Sequence, residues 1–365
     1  MIIDRLFAEI DLKALINNYM LLKELSHGKD IYAVVKADAY GHGSVPCSLV
    51  LEEAGCNHFA VTVLKEAIEL REAGVKGEIL VFGKTDSRNI DLINRYEITQ
   101  TVDSYDYALA LNLQNTSINV QINIDTGMSR LGIMLHKEED LENVFQEVYK
   151  ISRLKNLKIT GIYSHFTSAD SDIDYTNKQK HLFDKLLEKL KKEEIDYGKA
   201  HLKNSGGIIE IDDVKYEISR AGIALYGYPP VPTKQDFLPV MSLYSKVIAI
   251  RNIDVGDGVS YGRTFIASEK MKVATIAIGY ADGYMRILSN NDYFFYKDYK
   301  LQVLGRVCMG LTMVDVTGVD IHEGDFVEIF GKNKSLEDMA KRAHTITYEL
   351  LTNMSKPRVD RVFIK

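Results

Sequence analysis

A lysine that ends an apolar run is the residue best suited to covalent chemistry in this sequence. Residues 33–35 are apolar and lead into Lys36, and a polar, glycine-containing segment, residues 37–43, follows at once. An amine that is partly removed from water has a lowered pKa and becomes a nucleophile toward an aldehyde. A lysine that stays in water is inert, so the elements around Lys36 decide which chemistry it can do.

Short β-branched runs alternate with longer helical runs between residues 30 and 226, a pattern typical of β/α units around a parallel sheet. Eight candidate strands are separated in this way, at residues 31–35, 59–63, 79–82, 98–101, 119–124, 159–164, 200–202 and 217–218. Eight such units predict a (β/α)8 barrel of the TIM type, in which catalytic groups lie at the carboxyl ends of the strands. Lys36 would then point into the mouth of the barrel.

The pattern changes after three closely spaced prolines, Pro229, Pro230 and Pro232. Beyond this stiff linker, short strand-like runs are broken by glycine, at residues 247–249, 273–278, 301–303, 312–316 and 326–329. The sequence therefore predicts an α/β protein with two domains. The barrel would cover residues 11–232, and a β-rich domain would cover residues 233–365.

Composition argues against several classes of function. Lys and Arg number 45 against 51 Asp and Glu, a net charge of −6, whereas nucleic acids and anionic membranes attract concentrated positive charge. The three cysteines lack the spacing of a disulfide framework or a zinc site. The amino terminus is too charged for a signal peptide, and the longest charge-free run, residues 107–124, contains six amide side chains that a bilayer would leave unsatisfied. We expect a cytoplasmic protein without a metal, nucleic-acid or membrane partner.

The segment Val34-Val35-Lys36-Ala37-Asp38-Ala39-Tyr40-Gly41-His42-Gly43 closely resembles the lysine motif with which alanine racemases hold pyridoxal 5'-phosphate (PLP). Further segments match the same family, in the family's order and over nearly the whole chain. They are residues 125–132, 164–170, 204–205, 220–227, 259–265, 279–284 and 305–309.

The resemblance implies a PLP-dependent amino-acid racemase of fold type III. It implies a PLP-binding barrel, a β domain that residues 1–10 join, and a homodimer in which the partner subunit's Tyr261 completes each active site. PLP acts as an electron sink while two bases on opposite faces exchange the Cα proton. Lys36 would hold PLP and serve as the base on the D-face, and Tyr261 would be the base on the L-face.

Two further residues of this resemblance would tune the catalytic groups. His165 and Arg220 match a network behind Tyr261, where a phenol with its usual pKa of about 10 needs help to act as a base at neutral pH. Arg220 also matches the donor to the pyridine nitrogen of PLP. An always-charged donor leaves that nitrogen unprotonated and makes PLP a weaker electron sink, which suits simple proton exchange.

The resemblance also implies the binding residues for phosphate and substrate. Tyr40 and Ser205 match the phosphate hydroxyls, and Gly222 and Ile223 match the phosphate-binding amides. Arg130 matches an arginine that contacts the PLP phenolic oxygen and the substrate carboxylate. The other substrate-binding positions are the backbone amide of Met309 and the side chains of Tyr261, Tyr280, Tyr284 and Asn353.

Three positions depart from the family pattern. Asn123 stands where many members have a carbamylated lysine that holds the arginine matched by Arg130, and Gly310 stands where an aspartate often occurs. Residues 352–356 lack a tyrosine that many alanine-specific members place beside the substrate methyl group. Because Asn353 would leave room for a hydroxymethyl group, serine stands as an alternative substrate to alanine, as in serine/alanine racemases of the vancomycin-resistance type.

Three other classes of protein share the barrel, the cofactor or the reactive lysine with this pattern. A PLP carrier with this barrel would lack the β domain, and an amino-acid decarboxylase would normally have an acidic residue in place of Arg220. An aldolase that uses its lysine without PLP would need no phosphate-binding hydroxyls. The sequence favours racemisation of alanine, which supplies a D-amino acid for peptidoglycan precursors.

Overall fold

The computed structural model of the protein describes residues 4–114, 116–354 and 357–365, except for the side chain of Ser87. The chain divides into two compact units. The barrel unit consists of Leu15–Ala39 and Ser44–Leu238. Of the described residues, the sheet unit takes those up to Ala14, Tyr40–Gly43 and those from Pro239 onward.

The barrel unit is built on parallel strands. The chain begins with strand β1 (Leu6–Asp11) and helix α1 (Leu12–Leu25), and the strands that follow are β2 (Asp30–Val34), β3 (His58–Val61), β4 (Glu78–Val81), β5 (Thr99–Val102), β6 (Ile118–Asp125), β7 (Ile133–Met134), β8 (Leu157–Tyr163), β9 (Lys199–His201) and β10 (Ile218–Ala221). Their order is β10-β2-β3-β4-β5-β6-β8-β9, with the short β7 paired to β6. Backbone hydrogen bonds from Glu217 to Ala200 (3.2 Å) and from Arg220 to Lys203 (2.9 Å) nearly close the ring. The predicted (β/α)8 barrel is confirmed.

Helices alternate with most of these strands. They are α2 (Ser44–Glu53), α3 (Leu64–Glu72), α4 (Ile90–Arg95), α5 (Tyr105–Asn112), α6 (Leu141–Ser152), α7 (Ile173–Lys192) and α8 (Ser205–Glu210). In α7 the leucines at 182, 186 and 190 are buried, whereas its lysines are half-buried or exposed, so one face packs on the barrel. Within the part of the chain that the structure describes, no helix is both long and apolar enough to cross a membrane.

The interior of the barrel is polar. Tyr32, Gln121, Tyr163, His201 and Arg220 all lie on barrel strands, and each is at most 4% exposed. Barrel interiors are more commonly filled by branched apolar side chains. Since buried polar groups require partners, these residues form the network that positions the site described below.

Among the described residues, the sheet unit contains the remaining strands and two α-helices. The strands are β11 (Met241–Ile253), β12 (Gly258–Val259), β13 (Phe265–Ile266), β14 (Met271–Ile276), β15 (Tyr293–Tyr296), β16 (Tyr299–Leu304), β17 (Thr312–Asp315), β18 (Phe326–Phe330) and β19 (Asp360–Ile364), and the helices are α9 (Leu336–Arg342) and α10 (Thr347–Asn353). The main sheet has the order β14-β17-β16-β15-β18-β11-β1-β19. Strand β1 pairs antiparallel with β11 and parallel with β19. The β-rich architecture predicted for this part of the chain is confirmed.

Candidate active site

Lys36 lies two residues after the end of β2, at the carboxyl end of a barrel strand. The four residues after it, 37–40, all have positive φ, between 50° and 55°. A left-handed conformation costs about 1–2 kcal/mol for each residue with a side chain. Such a run persists only where neighbouring groups hold it. The sequence gives no signal for this left-handed turn, because the segment contains no glycine before Gly41.

The charges around the Lys36 amine come from two neighbouring residues. Burial and, to a smaller extent, the positive charge of Arg130 lower the pKa of this amine, and the negative charge of Glu66 raises it. The net direction is downward. Lys36 therefore has the desolvated, more nucleophilic amine that covalent chemistry with an aldehyde requires.

The loop that carries Arg130 is organised by a buried carboxylate. Asp125, at the end of β6, accepts backbone hydrogen bonds from Gly127 (2.9 Å), Met128 (2.8 Å) and Arg130 (3.0 Å). Burial raises the pKa of Asp125, but its bonds to these and neighbouring donors outweigh burial and lower it. The carboxylate stays ionised and fixes the backbone from which the Arg130 side chain extends.

The interior end of the site is formed by the guanidinium of Arg220. Its Nη2 donates to the carbonyls of Ser164 (2.5 Å) and Leu202 (3.2 Å), and its Nη1 donates to the carbonyl of His201 (3.1 Å). Burial lowers the pKa of Arg220 to about 10, so the group remains charged at neutral pH. Its Nε–H makes no hydrogen bond among the described residues and is available to a ligand in the barrel.

A relay of buried side chains fixes the orientation of Arg220. Its Nη1 donates to Nδ1 of His201 (2.5 Å), and Nε2 of His201 in turn bonds Oε1 of Gln121 (2.8 Å). The amide of Gln121 then donates to the hydroxyl of Tyr32 (2.7 Å). Tyr163 stacks on His201 at 4.9 Å and lies 5.1 Å from the Arg220 guanidinium. None of the residues that hold Arg220 in this way was predicted from the sequence, where a polar residue inside an apolar strand pattern is the only signal for them.

His165 lies on the loop after β8, beside Arg220. Its Nδ1 accepts from Nη2 of Arg220 at 3.3 Å. Burial, followed by the positive charges of Arg220, Arg130 and Lys36, holds the pKa of His165 well below its usual range. His165 is therefore neutral, with its proton on Nε2, the nitrogen that points away from Arg220.

The residues predicted to bind phosphate differ in whether their hydrogen-bond donors are already engaged within the protein. The hydroxyl oxygen of Ser205 accepts from the amides of Gly222 (2.9 Å) and Ala224 (3.4 Å), which leaves its proton free to donate. The amide of Gly222 is therefore already engaged, whereas that of Ile223 makes no hydrogen bond among the described residues. Tyr40 is 8% exposed and belongs to the sheet unit by contact. A hydroxyl donor, a free amide and a cluster of cations fit an anionic cofactor such as PLP.

The predicted base Tyr261 is the first residue of a short helical turn in the sheet unit, and its side chain is 73% exposed. Ser260 before it has φ 64° and ψ −173°, a backbone conformation that usually requires glycine. The Ser260 hydroxyl donates to the carbonyl of Arg306 at 2.6 Å, which holds this strained backbone. The exposed phenol of Tyr261 is thus presented on a fixed turn.

Three of the predicted substrate residues are brought together in the sheet unit. The amide of Ala281, next to Tyr280, donates to the carbonyl of Met309 at 2.8 Å. The carbonyl of Asn353 packs against Gly283 in the same turn, where no side chain would fit. Tyr280 is 41% and Met309 is 61% exposed, so both present surface to a ligand.

Tyr284 lies elsewhere than its predicted role requires. Its side chain is completely buried, and its hydroxyl donates to Asp292 at 2.7 Å. Asp292 also forms a buried ion pair with Lys334 at 2.7 Å. A completely buried side chain cannot contact a substrate, so we assign Tyr284 to the core of the sheet unit.

Two of the departures from the family pattern occupy defined places. The amide of Asn123 donates to the carbonyl of Leu131 at 2.9 Å, so it holds the backbone next to Arg130. At Gly310, an added Cβ would lie 3.6 Å from the guanidinium of Arg358. Of the carboxyl-terminal departure, residues 355 and 356 lie outside the described part of the chain.

Comparison with known proteins decides the family. A model of the alanine racemase N-terminal domain matches residues 10–230, and one of the C-terminal domain matches residues 240–363. Alanine racemase 1 of Clostridium acetobutylicum is 39% identical over 373 residues, which cover 98% of this chain and 95% of that protein. The chain belongs to the alanine racemase family. The resemblance noted in the sequence is thereby confirmed.

Solved structures of alanine racemases have the same fold as this member of the family. The structure of the enzyme from Clostridium difficile 630 superimposes with a TM-score of 0.92 at 34% identity, covering 100% of this chain and 97% of that one. The structure of the Bartonella henselae enzyme, described with covalently bound pyridoxal phosphate, gives a TM-score of 0.88 at 30% identity, with coverage of 99% and 100%.

Proposed function

We propose that this chain interconverts L- and D-alanine with PLP, using Lys36 and Tyr261 as bases on opposite faces of the substrate. As a member of the alanine racemase family, the chain is a PLP-dependent amino-acid racemase. The observation that carries the residue assignment is the desolvated Lys36 amine at the end of a barrel strand, in the field of Arg130. The serine alternative is not favoured, because close relatives such as those of Clostridium acetobutylicum and Clostridium tetani are alanine racemases.

When bound, PLP withdraws electrons from the amino-acid Cα and so lowers the barrier to removal of its proton. Lys36 would hold the cofactor covalently until the substrate amine displaces it, and the freed Lys36 amine would then take or return the Cα proton on the D-face. Burial lowers the pKa of this amine and so raises the fraction that is neutral at a given pH, which favours a general base. Tyr261 performs the same proton transfer on the L-face, with the neutral imidazole of His165 as its proposed neighbour.

Arg220 would govern how strongly the cofactor withdraws electrons. Its Nη atoms are engaged within the barrel, and its free Nε–H is directed to the ring nitrogen in our proposal. A guanidinium does not give up its proton at neutral pH. Arg220 would therefore leave the ring nitrogen unprotonated and make the cofactor a weaker electron sink, which suits simple proton exchange.

Anionic groups of cofactor and substrate would be held by donors. The Ser205 hydroxyl, the Tyr40 hydroxyl and the Ile223 amide bind the phosphate, while Gly222 orients Ser205 through its own amide. Arg130, placed by Asp125 and Asn123, pairs with the substrate carboxylate from one side, and the Met309 amide of the partner subunit approaches from the other.

We also propose a homodimer, a cytoplasmic location and a role in peptidoglycan precursor supply. The exposure of Tyr261 and Met309 in a single chain supports a dimer whose partner contributes them. Cys47, Cys56 and Cys308 are free thiols, which supports a reducing compartment.

The lysine assignment is tested by the colour of the purified protein. Lys36→Ala is expected to lose the visible absorbance of covalently bound PLP, while the control Lys65→Ala, an exposed lysine of α3, keeps it. Colour that survives in Lys36→Ala excludes Lys36 as the attachment point.

The tyrosine assignment is tested by exchange of the Cα proton in deuterated water. In Tyr261→Phe, exchange from L-alanine is expected to fall by about 100-fold or more while exchange from D-alanine persists. Tyr299→Phe, which changes another exposed tyrosine of the sheet unit, serves as the control. Equal exchange of both enantiomers in Tyr261→Phe contradicts the two-base assignment.

A further inference from the structure

Glu66 connects the ends of two barrel strands at the point where Lys36 emerges. It lies in the first turn of α3, and its Oε1 accepts the backbone amide of Ala37 at 2.7 Å. Its Oε2 accepts the amides of Thr62 (2.8 Å) and Val63 (3.2 Å), which follow β3. One carboxylate therefore ties the residue after Lys36 to the neighbouring strand and helix.

The bond to Ala37 acts on a strained part of the backbone. Ala37 is the first residue of the left-handed turn and has φ 50°. A left-handed turn of non-glycine residues relaxes unless surrounding groups hold it. A charged acceptor gives a stronger hydrogen bond than a neutral one. The Glu66 bond therefore restrains the turn beside the Lys36 side chain.

Glu66 also supplies a negative charge that raises the pKa of the Lys36 amine. The positive charge of Arg130 acts on Lys36 from the loop after β6, and Lys36 in turn acts on His165 from the loop after β8. His165 is neutral, so Arg130 is the cation that Glu66 has to balance. Without Glu66, burial and Arg130 would act unopposed and would lower the pKa of Lys36 further.

We propose that Glu66 is a positioning residue for Lys36, which restrains the left-handed turn and balances the positive charge of Arg130 beside the amine. This inference rests on the proposed function, because it assumes that Lys36 is the base and the point of cofactor attachment. Glu66 touches neither the cofactor nor the substrate in this proposal, and its effect passes through Lys36.

The test compares the holoenzyme with Glu66→Gln, Glu66→Asp and the control Glu69→Gln, which removes an exposed carboxylate from the same helix. The first measurement is the rate at which hydroxylamine removes the covalently bound cofactor, followed by visible absorbance. We expect a rise of about tenfold in Glu66→Gln and in Glu66→Asp, because both weaken the bond to Ala37. Glu69→Gln should match the wild type.

The second measurement is the pH dependence of kcat for D-alanine, because kcat reports the enzyme–substrate complex, in which the Lys36 amine would be free of the cofactor. In Glu66→Gln the acidic limb is expected to move down by about one pH unit, because Lys36 loses a nearby negative charge. In Glu66→Asp, which keeps the charge, the limb stays within about 0.3 unit of the wild type. A residue that only supports the fold would not shift this limb.

The outcomes separate the inference from the function on which it rests. If Lys36→Ala retains its colour, the lysine assignment fails, and the Glu66 inference fails with it. If Lys36→Ala is colourless but Glu66→Gln behaves like Glu69→Gln in both measurements, the Glu66 inference alone is overturned. If Glu66→Gln does not fold, Glu66→Asp decides, and a wild-type rate of cofactor removal in that variant contradicts the proposal.

Discussion

At the scale of single residues, the geometry explains why an arginine occupies position 220. Its two Nη atoms reach three backbone carbonyls and two imidazoles at the same time. A lysine ammonium has three donors on one atom and could not span these acceptors. The planar fork is therefore held by the barrel itself, and His201 is the side chain that bonds it most closely.

Replacing His201 should test how much this relay stabilises the protein. His201→Leu leaves a guanidinium N–H and the Gln121 carbonyl oxygen unpaired in the interior, and we expect the free energy of unfolding to fall by about 2–3 kcal/mol. Urea denaturation at neutral pH measures it. His181→Leu removes an exposed histidine of α7 that bonds Glu138 and should change stability by less than about 0.5 kcal/mol. Equal stabilities for the two variants would contradict the relay.

The stability of His201→Leu at different pH values should also show that His201 is neutral in the folded protein. Burial, and next the charge of Arg220, holds the pKa of His201 well below its usual range. The unfolded chain therefore takes up a proton at His201 below a pH of about 6.5, whereas the folded chain does not. The stability that His201 provides is present above that pH and is lost as the pH falls.

The pH dependence due to His201 is measured as the difference in the free energy of unfolding between the wild type and His201→Leu. The stability gap between wild type and His201→Leu should narrow by up to about 1.4 kcal/mol per pH unit below pH 6.5. Urea unfolding of both proteins between pH 7.5 and 5 measures the gap. A gap that is constant over this range would show that His201 takes up a proton equally well in the folded and the unfolded chain.

At the scale of elements, the left-handed turn at residues 37–40 is the part of the fold that the sequence predicts least well. Patterns of β-branched residues predicted the barrel strands well, because strand burial repeats locally. Residues 37–40 carry no local signal for positive φ. The turn is imposed by its surroundings, among them Glu66 at Ala37 and the carboxylate of Asp38, which accepts from the amide of Ser44 at 2.7 Å.

A glycine placed in the turn should therefore stabilise the protein. Ala37 is exposed, so Ala37→Gly loses little packing and relieves about 1–2 kcal/mol of strain, offset by about 0.5–1 kcal/mol of backbone entropy. We expect a gain of up to about 1.5 kcal/mol in the free energy of unfolding, measured by thermal or urea unfolding. Ala110→Gly, inside helix α5, should instead lose about 1 kcal/mol. A loss of that size at Ala37 as well would show that the turn is not strained.

At the scale of the whole molecule, the two units supply different chemistry. The barrel unit carries Lys36, Arg130, His165 and Arg220, and the sheet unit carries Tyr261 and Met309. In the proposed homodimer each active site takes these groups from different subunits. An isologous pair of subunits then contains two such sites.

Hybrid dimers should test that sharing. Lys36→Ala and Tyr261→Phe are each expected to be nearly inactive alone. In a hybrid, one site carries both defects and the other carries neither, so co-expression of equal amounts should restore about a quarter of wild-type racemisation. Two variants of the same unit, Lys36→Ala and Arg220→Ala, form the control pair and should not complement. No recovery in the first pair would mean that each site is built from one subunit.

The sequence by itself determined the order of strands and helices, the lysine at a strand end and the family, because apolar periodicity and motif spacing are local properties of the chain. Tertiary structure decided how the groups are held. His201 meets Gln121 across 80 residues, and Glu66 meets Ala37 across 29. It also buried Tyr284, which the motif had suggested for substrate. Such contacts depend on closing the barrel and packing the sheet, since hydrogen-bond partners far apart in sequence meet only when the strands that carry them are neighbours.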